Sequence, residues 1–203
     1  MRREITSGVT WIAETFEFEE NKQTHVSVFL VETDDGYVLI DSGSHYHEEE
    51  ILTEVSESTG ESGLSGLIVS HADLPHAGNV GSLAEELGDF EVYCATAAPE
   101  LVGVPVTINC SPGETVEIGS HMFTFIDAPL ADITDTVWVY HHESKTLFTS
   151  DGFGSYHHPE NAQAISTELD DSITADQIFE YHKTMFRWLE LVDPDRLAAD
   201  LNR

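Results

Sequence analysis

Basic residues are the scarcest chemical class in this 203-residue sequence: eight Lys and Arg stand against 38 Asp and Glu, a formal net charge of −30. So few cations cannot neutralise a phosphate backbone, which excludes direct nucleic-acid binding as a function class. Cysteine is nearly absent too. Cys94 and Cys110 are too few for a disulfide framework, and their spacing matches no thiolate metal motif. Cys94 alternates with Phe90 and Val92, which predicts a buried strand cysteine. No apolar run approaches the roughly 18 residues needed to span a bilayer, and no basic-then-apolar segment opens the sequence. The expectation is a soluble, cytoplasmic protein with no membrane partner.

What is abundant is acid, and it is dispersed. The carboxylates are interleaved with apolar runs along the whole sequence rather than gathered in one tail. A compact domain with such a charge repels itself at low ionic strength, where the screening length is about 30 Å at 0.01 M; at 1 M it is about 3 Å. A cytosol of molar salt, as in a halophile, accounts for the composition without invoking function. Apolar residues make up 40% of the sequence, enough for a chain of this length to bury a sizeable core as one domain.

The local pattern is mixed. Residues 9–14 and 25–33 are β-branched and aromatic, and Asp34-Asp35-Gly36 supplies a hairpin turn before a strand at 37–40. A helix is predicted over 45–58, with Ile51, Leu52 and Val55 on one side. A short apolar strand at 66–70, a helix at 79–87 and a strand at 91–95 follow. Residues 107–125 read as strand, turn and strand, and 136–140 with 146–149 as a hairpin. Thr174 and Gln177 have capping-box spacing ahead of Ile178, Tyr181, Met185 and Trp188, and Pro194 precedes a last short helical piece. Hairpins mixed with helices predict an α+β fold of two mixed sheets covered by helices.

The chemistry-bearing segment is Ser70-His71-Ala72-Asp73-Leu74-Pro75-His76-Ala77-Gly78-Asn79, placed between an apolar strand and a helix. A strand end followed by a loop fixes the backbone and leaves polar side chains free. Two imidazoles and a carboxylate suit a divalent metal. Taken alone, the same residues read equally well as a polar turn.

Together with Leu39-Ile40-Asp41-Ser42-Gly43, this segment resembles the metallo-β-lactamase superfamily, whose loop runs His-x-His-x-Asp-His. The similarity is greatest to the β-lactamase-like domain of flavodiiron and oxygen-binding diiron proteins. Ile126-Asp127-Ala128-Pro129-Leu130-Ala131-Asp132-x-x-Asp135 is similar to that branch's Ala-Pro-Met-x-His-x-Pro-Asp. Leu147-Phe148-Thr149-Ser150-Asp151-Gly152-Phe153-Gly154 is similar to its Leu-Phe-Ser-x-Asp-Ala-Phe-Gly. The resemblance implies an αββα sandwich over residues 1–203 as a single domain. It implies metal ligands at His71, Asp73, His76, Asp132 and Asp151, with Asp41 propping the metal loop.

The departures shape the functional expectation. Pro75 stands where the family has a ligand Asp, and Asp132 where it has a ligand His. The family's last ligand His, on a C-terminal strand, has no counterpart before Arg203. One divalent ion (iron, manganese or zinc) is therefore expected, held by His71, Asp73, Asp132 and Asp151. A set so rich in carboxylates favours the harder ions. No flavin is expected in this chain, since no flavodoxin-like domain is present.

The first functional expectation is a metal-dependent hydrolase-type protein in which one metal activates water, with Asp151 and His71 as catalytic residues. Its substrate would be an unidentified small molecule. The alternatives are a non-catalytic binding or sensing relative and an oxygen-reactive iron protein. A homo-oligomer could supply a missing ligand. Among the other histidines, His157 and His158 are candidates for that ligand. His45 and His47 read as a solvated helix start, and His141 and His142 as exposed turn residues. His25, His121 and His182 read as surface or half-buried.

Overall fold

The β-branched and aromatic runs pair as their alternation dictates. The computed structural model describes residues 1–96, 105–169 and 173–202. Seven strands form the first sheet in chain order: β1 (Arg2–Thr6), β2 (Val9–Glu19), β3 (Lys22–Thr33), β4 (Gly36–Ile40), β5 (Leu64–Val69), β6 (Val92–Cys94) and β7 (Ile108–Asn109). β1 to β4 pair antiparallel through hairpins, and β4 to β7 pair parallel. The second sheet has the order β11-β10-β9-β8, from β8 (Thr115–Ile118), β9 (His121–Asp127), β10 (Val137–His141) and β11 (Thr146–Phe148). All its pairings are antiparallel: short turns join β8 to β9 and β10 to β11, and the longer 128–136 loop joins β9 to β10. The mixed character expected of both sheets therefore belongs to the first alone.

The period-2 alternation of side chains sorts the core into layers. Val38 and Ile40 of β4 and Ile68 of β5 face inward, against Phe123 and Phe125 of β9 and Val137 and Val139 of β10. The intervening Leu39, Leu67 and Val69 face outward, beneath Ile51 and Val55 of α1 (Glu48–Thr59) and Val80 and Leu83 of α3 (Val80–Leu87). On the second sheet, Trp138 alternates with Val137 and Val139. It packs outward against Phe186, just past α4 (Ala175–Met185), and near Leu197 of α5 (Pro194–Leu201). Helix, sheet, sheet, helix is the expected αββα sandwich.

Three elements differ from expectation. β1 was not foreseen: its alternating Arg2, Glu4 and Thr6 are exposed, so only its backbone pairing to β2 marks it as a strand. The helix predicted over 45–58 begins as a 3₁₀ turn at His45–His47 before α1. A one-turn helix, α2 (Leu74–Ala77), sits inside the chemistry-bearing loop. Asp73 caps it by accepting the N–H of Leu74, and Pro75 occupies the first turn, where a missing N–H costs nothing.

Candidate metal centre

Four strand ends meet at one edge of the sandwich, and each delivers a polar residue there. β4 delivers Asp41, β5 delivers Ser70 and His71, β9 leads to Asp132, and β11 leads to Ser150 and Asp151. His76 arrives on α2. Asp41, Ser70, His71 and His76 are buried.

Asp41 organises both imidazoles. Its Oδ1 accepts the backbone N–H of Ser70 at 2.7 Å. Its Oδ2 accepts the Ser70 hydroxyl at 3.0 Å and the Nδ1–H of His76 at 2.8 Å. Ser70 has thus donated its proton, so the Ser150 hydroxyl, 3.0 Å away, donates to Ser70. The Ser150 oxygen, 3.0 Å from His71 Nδ1, then accepts from that nitrogen. This relay fixes the tautomer of His71 and leaves a lone pair on Nε2.

That lone pair has no partner. His71 Nε2 is buried and makes no hydrogen bond, yet Asp132 Oδ2 lies 3.6 Å away and Asp151 Oδ2 3.7 Å away. These separations are too long for hydrogen bonds. Two donors each about 2.0–2.2 Å from one tetrahedral ion lie roughly 3.3–3.6 Å apart, so the spacing suits donors that share a metal. Burial, reinforced by His76 and opposed by Asp132 and Asp151, holds the His71 pKa below the ordinary histidine value, so the ring is a neutral donor.

The other expected ligands join two overlapping groups. Donor atoms of His71, His76 and Asp151 lie within 4.8 Å of one another, as do those of His71, Asp73 and Asp132. Asp73 is exposed and spends Oδ1 on the N–H of Leu74. Asp132 divides its oxygens: Oδ1 accepts from Ile133 N and the Thr136 hydroxyl, and Oδ2 faces His71. His76 Nε2 is 3.2 Å from Asp151 Oδ1. Burial disfavours its charge, but Asp41 and Asp151 outweigh that and raise its pKa well above the ordinary value. Burial likewise opposes ionisation of Asp151, and the hydrogen bond and charge of His76 overcome it, lowering the Asp151 pKa.

The site is strained and braced. Asp41, Ser150 and Phe153 all adopt left-handed φ values, of 61°, 51° and 63°. Such conformations cost on the order of 1–3 kcal/mol each and persist only where the surroundings enforce them. His182 of α4 is one enforcer: its Nδ1–H donates to Ile178 O, so Nε2 accepts the N–H of Phe153 at 2.7 Å. This residue is buried, where a surface or half-buried position was expected. His157, a candidate replacement ligand, is held away from these donors, bonded through its backbone to Gln23 of β3 and stacked on His25, and it joins neither donor group of this site. Ser70 and Ser150 were not singled out as functional residues, because a serine beside a histidine or aspartate carries no distinctive spacing.

A cleft of 220 Å³ lies beside the loop, lined by Ala72, Cys94, Ala95, Thr96, Ile133, Thr134 and Asp135. Cys94 offers it no nucleophile, since burial pushes the thiol up to about 12. Among the described residues, no helix is long and apolar enough to cross a membrane.

A family profile described as "ODP family beta lactamase" matches residues 24–190. The chain is 23% identical over 194 residues to an anaerobic nitric oxide reductase flavorubredoxin of Aliivibrio salmonicida, covering 88% of this chain and 38% of that one. It superimposes on the flavodiiron protein from Giardia intestinalis with a TM-score of 0.72 and 19% identity, over 91% of this chain and 47% of that one. A metallo-beta-lactamase from Pontibacter korlensis gives a TM-score of 0.58 at 19% identity, over 70% of this chain and 66% of that one. The chain thus spans less than half the length of the flavorubredoxin and of the flavodiiron protein.

Proposed function

The chain belongs to the ODP family of beta-lactamase-like domains, and from that premise we propose that it holds one divalent metal ion and performs hydrolase-type chemistry on a small molecule. The observation that carries the reading is the unpartnered lone pair of His71 Nε2, aimed between Asp132 and Asp151. Those three residues would hold the ion, with Asp73 as a fourth donor within reach. One imidazole with carboxylates suits iron(II) or manganese(II), and zinc(II) less. The bound metal would supply Lewis-acid activation of a water molecule.

The protein's own groups would handle the rest. His71 is oriented by the Ser70–Ser150 relay, so it presents Nε2 without rotating. His76 keeps Nδ1–H on Asp41, which leaves Nε2 as the one position where it can take up or release a proton. The cleft beside Ala72 and Ile133 would admit the substrate. For a second metal, His76 Nε2 and a shared Asp151 are the available donors among the described residues of this site, since Pro75 offers none. That set is too poor for a two-metal clamp, and no step is assigned to one.

A second reading is an oxygen- or nitric-oxide-reactive iron protein, favoured by relatives named as nitric oxide reductases. Metal content separates the readings. The chelator-stripped protein, in molar KCl, is offered iron(II), manganese(II) or zinc(II), and bound metal is counted beside Asp151→Ala, His71→Ala and Ser150→Ala. The expected result is about one ion at this site, absent from the first two variants and bound roughly 10–100-fold more weakly by the third, whose relay is broken. Loaded protein should then hydrolyse model esters or phosphodiesters in an Asp151-dependent way. Two irons at this site, with reductant-driven consumption of oxygen or nitric oxide, would replace the hydrolase reading with the second one.

A further inference from the structure

The opposite end of the sandwich carries a second convergence of donors. Residues on the inner face of β9 and β10 alternate as His121, Phe123, Phe125 and Val137, Val139, His141, so both histidines cap the inter-sheet core. His141, expected as an exposed turn residue, is 2% exposed, covered by Phe123 on one side and His121 on the other. Its Nε2 lies 2.9 Å from His121 Nδ1 and 3.1 Å from Glu143 Oε2.

Hydrogen bonding here fixes the orientation of the donors. The Ser144 hydroxyl donates to Thr146 at 2.8 Å, so its oxygen, 2.7 Å from His141 Nδ1, accepts from that nitrogen. The neutral ring therefore carries a lone pair on Nε2, which accepts the Nδ1–H of His121 at 2.9 Å, with a Glu143 carboxylate oxygen beside it at 3.1 Å. One proton thus serves three donor atoms that lie close enough to share a cation in its place. Burial disfavours a second proton on this ring. Glu143 is itself held in place by the backbone N–H of Met122, at 3.2 Å from each of its oxygens.

We propose that His121, His141 and Glu143 form a second, structural metal site for a divalent ion of the zinc type. Two imidazole nitrogens and one carboxylate, with Glu143 reaching solvent, match three protein ligands plus a water. Nitrogen donors favour zinc(II), nickel(II) or cobalt(II) over magnesium or calcium. Donor separations of 2.9 and 3.1 Å need to open, and the 4.0 Å between His121 Nδ1 and Glu143 Oε2 to close, by a few tenths of an ångström to the roughly 3.3–3.6 Å of a shared tetrahedral ion, and side-chain rotation of the solvent-facing Glu143 and of His121 at the start of β9 allows that. The ion would clip the start of β9 to the β10–β11 turn. His121 Nε2, 3.9 Å from Asp34 Oδ1, extends the contact to the β3–β4 turn of the other sheet.

The test is zinc stoichiometry on the full chain, stripped with chelator and dialysed against zinc(II) in a non-coordinating buffer. The His71→Ala/Asp151→Ala protein removes the other centre, so one zinc should remain on it. Adding His121→Ala or Glu143→Gln should abolish that ion, while circular dichroism stays unchanged. Zinc should also raise the Tm of the His71→Ala/Asp151→Ala protein by roughly 5–10 °C at about a hundredfold excess over Kd, reversibly with chelator. Glu143→Gln, at an exposed position, keeps the test valid if His121→Ala fails to fold. The proposal is overturned if the His71→Ala/Asp151→Ala protein binds no zinc, or if its zinc survives Glu143→Gln and His121→Ala together. Failure of the first centre leaves this count untouched, because the background already lacks it.

Discussion

A single half-buried histidine shows how partial burial turns into pH dependence. His25 of β3 donates Nε2–H to the carbonyl of Ala162 at 2.8 Å and stacks on His157, so it ties the 157–162 segment to the first sheet. Burial, opposed by the Ala162 carbonyl and aided by His157, pushes its pKa down to about 4. An unfolded chain holds this group near 6.5. The unfolded state therefore binds more protons between these values, so the contribution to stability is complete above about pH 6.5 and is lost as pH falls towards 4. The loss should amount to about 2 kcal/mol after allowance for screening. Urea unfolding at pH 7 and pH 4.5 measures it: His25→Phe should show a shallower pH slope than the parent protein, and equal slopes would refute the assignment. His25 is half-buried, within expectation, whereas His141, read as an exposed turn residue, and His182, read as surface or half-buried, are buried, since a histidine is counted as polar in any apolar pattern. Their burial depends on partners distant in sequence. His71, His76 and Asp151, whose donor atoms the fold brings together, could be picked out as candidates because they lie in contiguous motifs that carry the family resemblance. The Ser70–Ser150 relay joins residues 80 positions apart, and no local pattern announces it.

At the scale of elements, alternation carried most of the fold. Val38, Ile40 and Leu39 divide between two cores as period-2 spacing requires, and the capping box at Thr174 and Gln177 opens α4 as expected. What alternation could not convey was β1, whose edge position needs no apolar face, and α2, which is too short for a helical period. Yet α2 decides where His76 sits, and Gly78 decides where α2 sits. A Cβ at Gly78 would lie 2.7 Å from Leu74 O, 2.8 Å from Gly43 O and 2.8 Å from His45 N. All three are backbone atoms, so none can swing aside. Gly78→Ala should therefore push α2 away from the β4 loop, costing about 1–3 kcal/mol of stability. It should also weaken the His76–Asp41 contact. Chemical denaturation gives the first quantity, and the His76 ring resonances in NMR give the second; a variant with unchanged stability would show that the loop yields where the contacts say it cannot.

Across the whole molecule, the charge excess far exceeds what local ion pairs can offset. Arg2 pairs with Glu54 and Glu57, Lys22 with Glu180 and Lys183 with Glu190. Even if all eight basic residues were each matched to one acid, 38 − 8 = 30 carboxylates would be left over. Exposed pairs stabilise little in any case, a median of about 0–1 kcal/mol each. The dispersed repulsion falls as the screening length shrinks from about 30 Å at 0.01 M salt to about 3 Å at 1 M. The Tm should therefore climb with KCl, by roughly 10 °C between 0.05 and 1 M, with most of the rise at the lower end where the length changes fastest. Screening and solute exclusion can both produce a climb, and they differ in what sets its size. Potassium chloride and potassium sulfate at equal ionic strength should act alike below about 0.3 M if screening dominates, whereas exclusion makes sulfate the stronger from the outset. A flat Tm would mean that this surface tolerates its charge without salt. The high-salt reading of the composition would then give way to one in which the acidic face is kept for a basic partner.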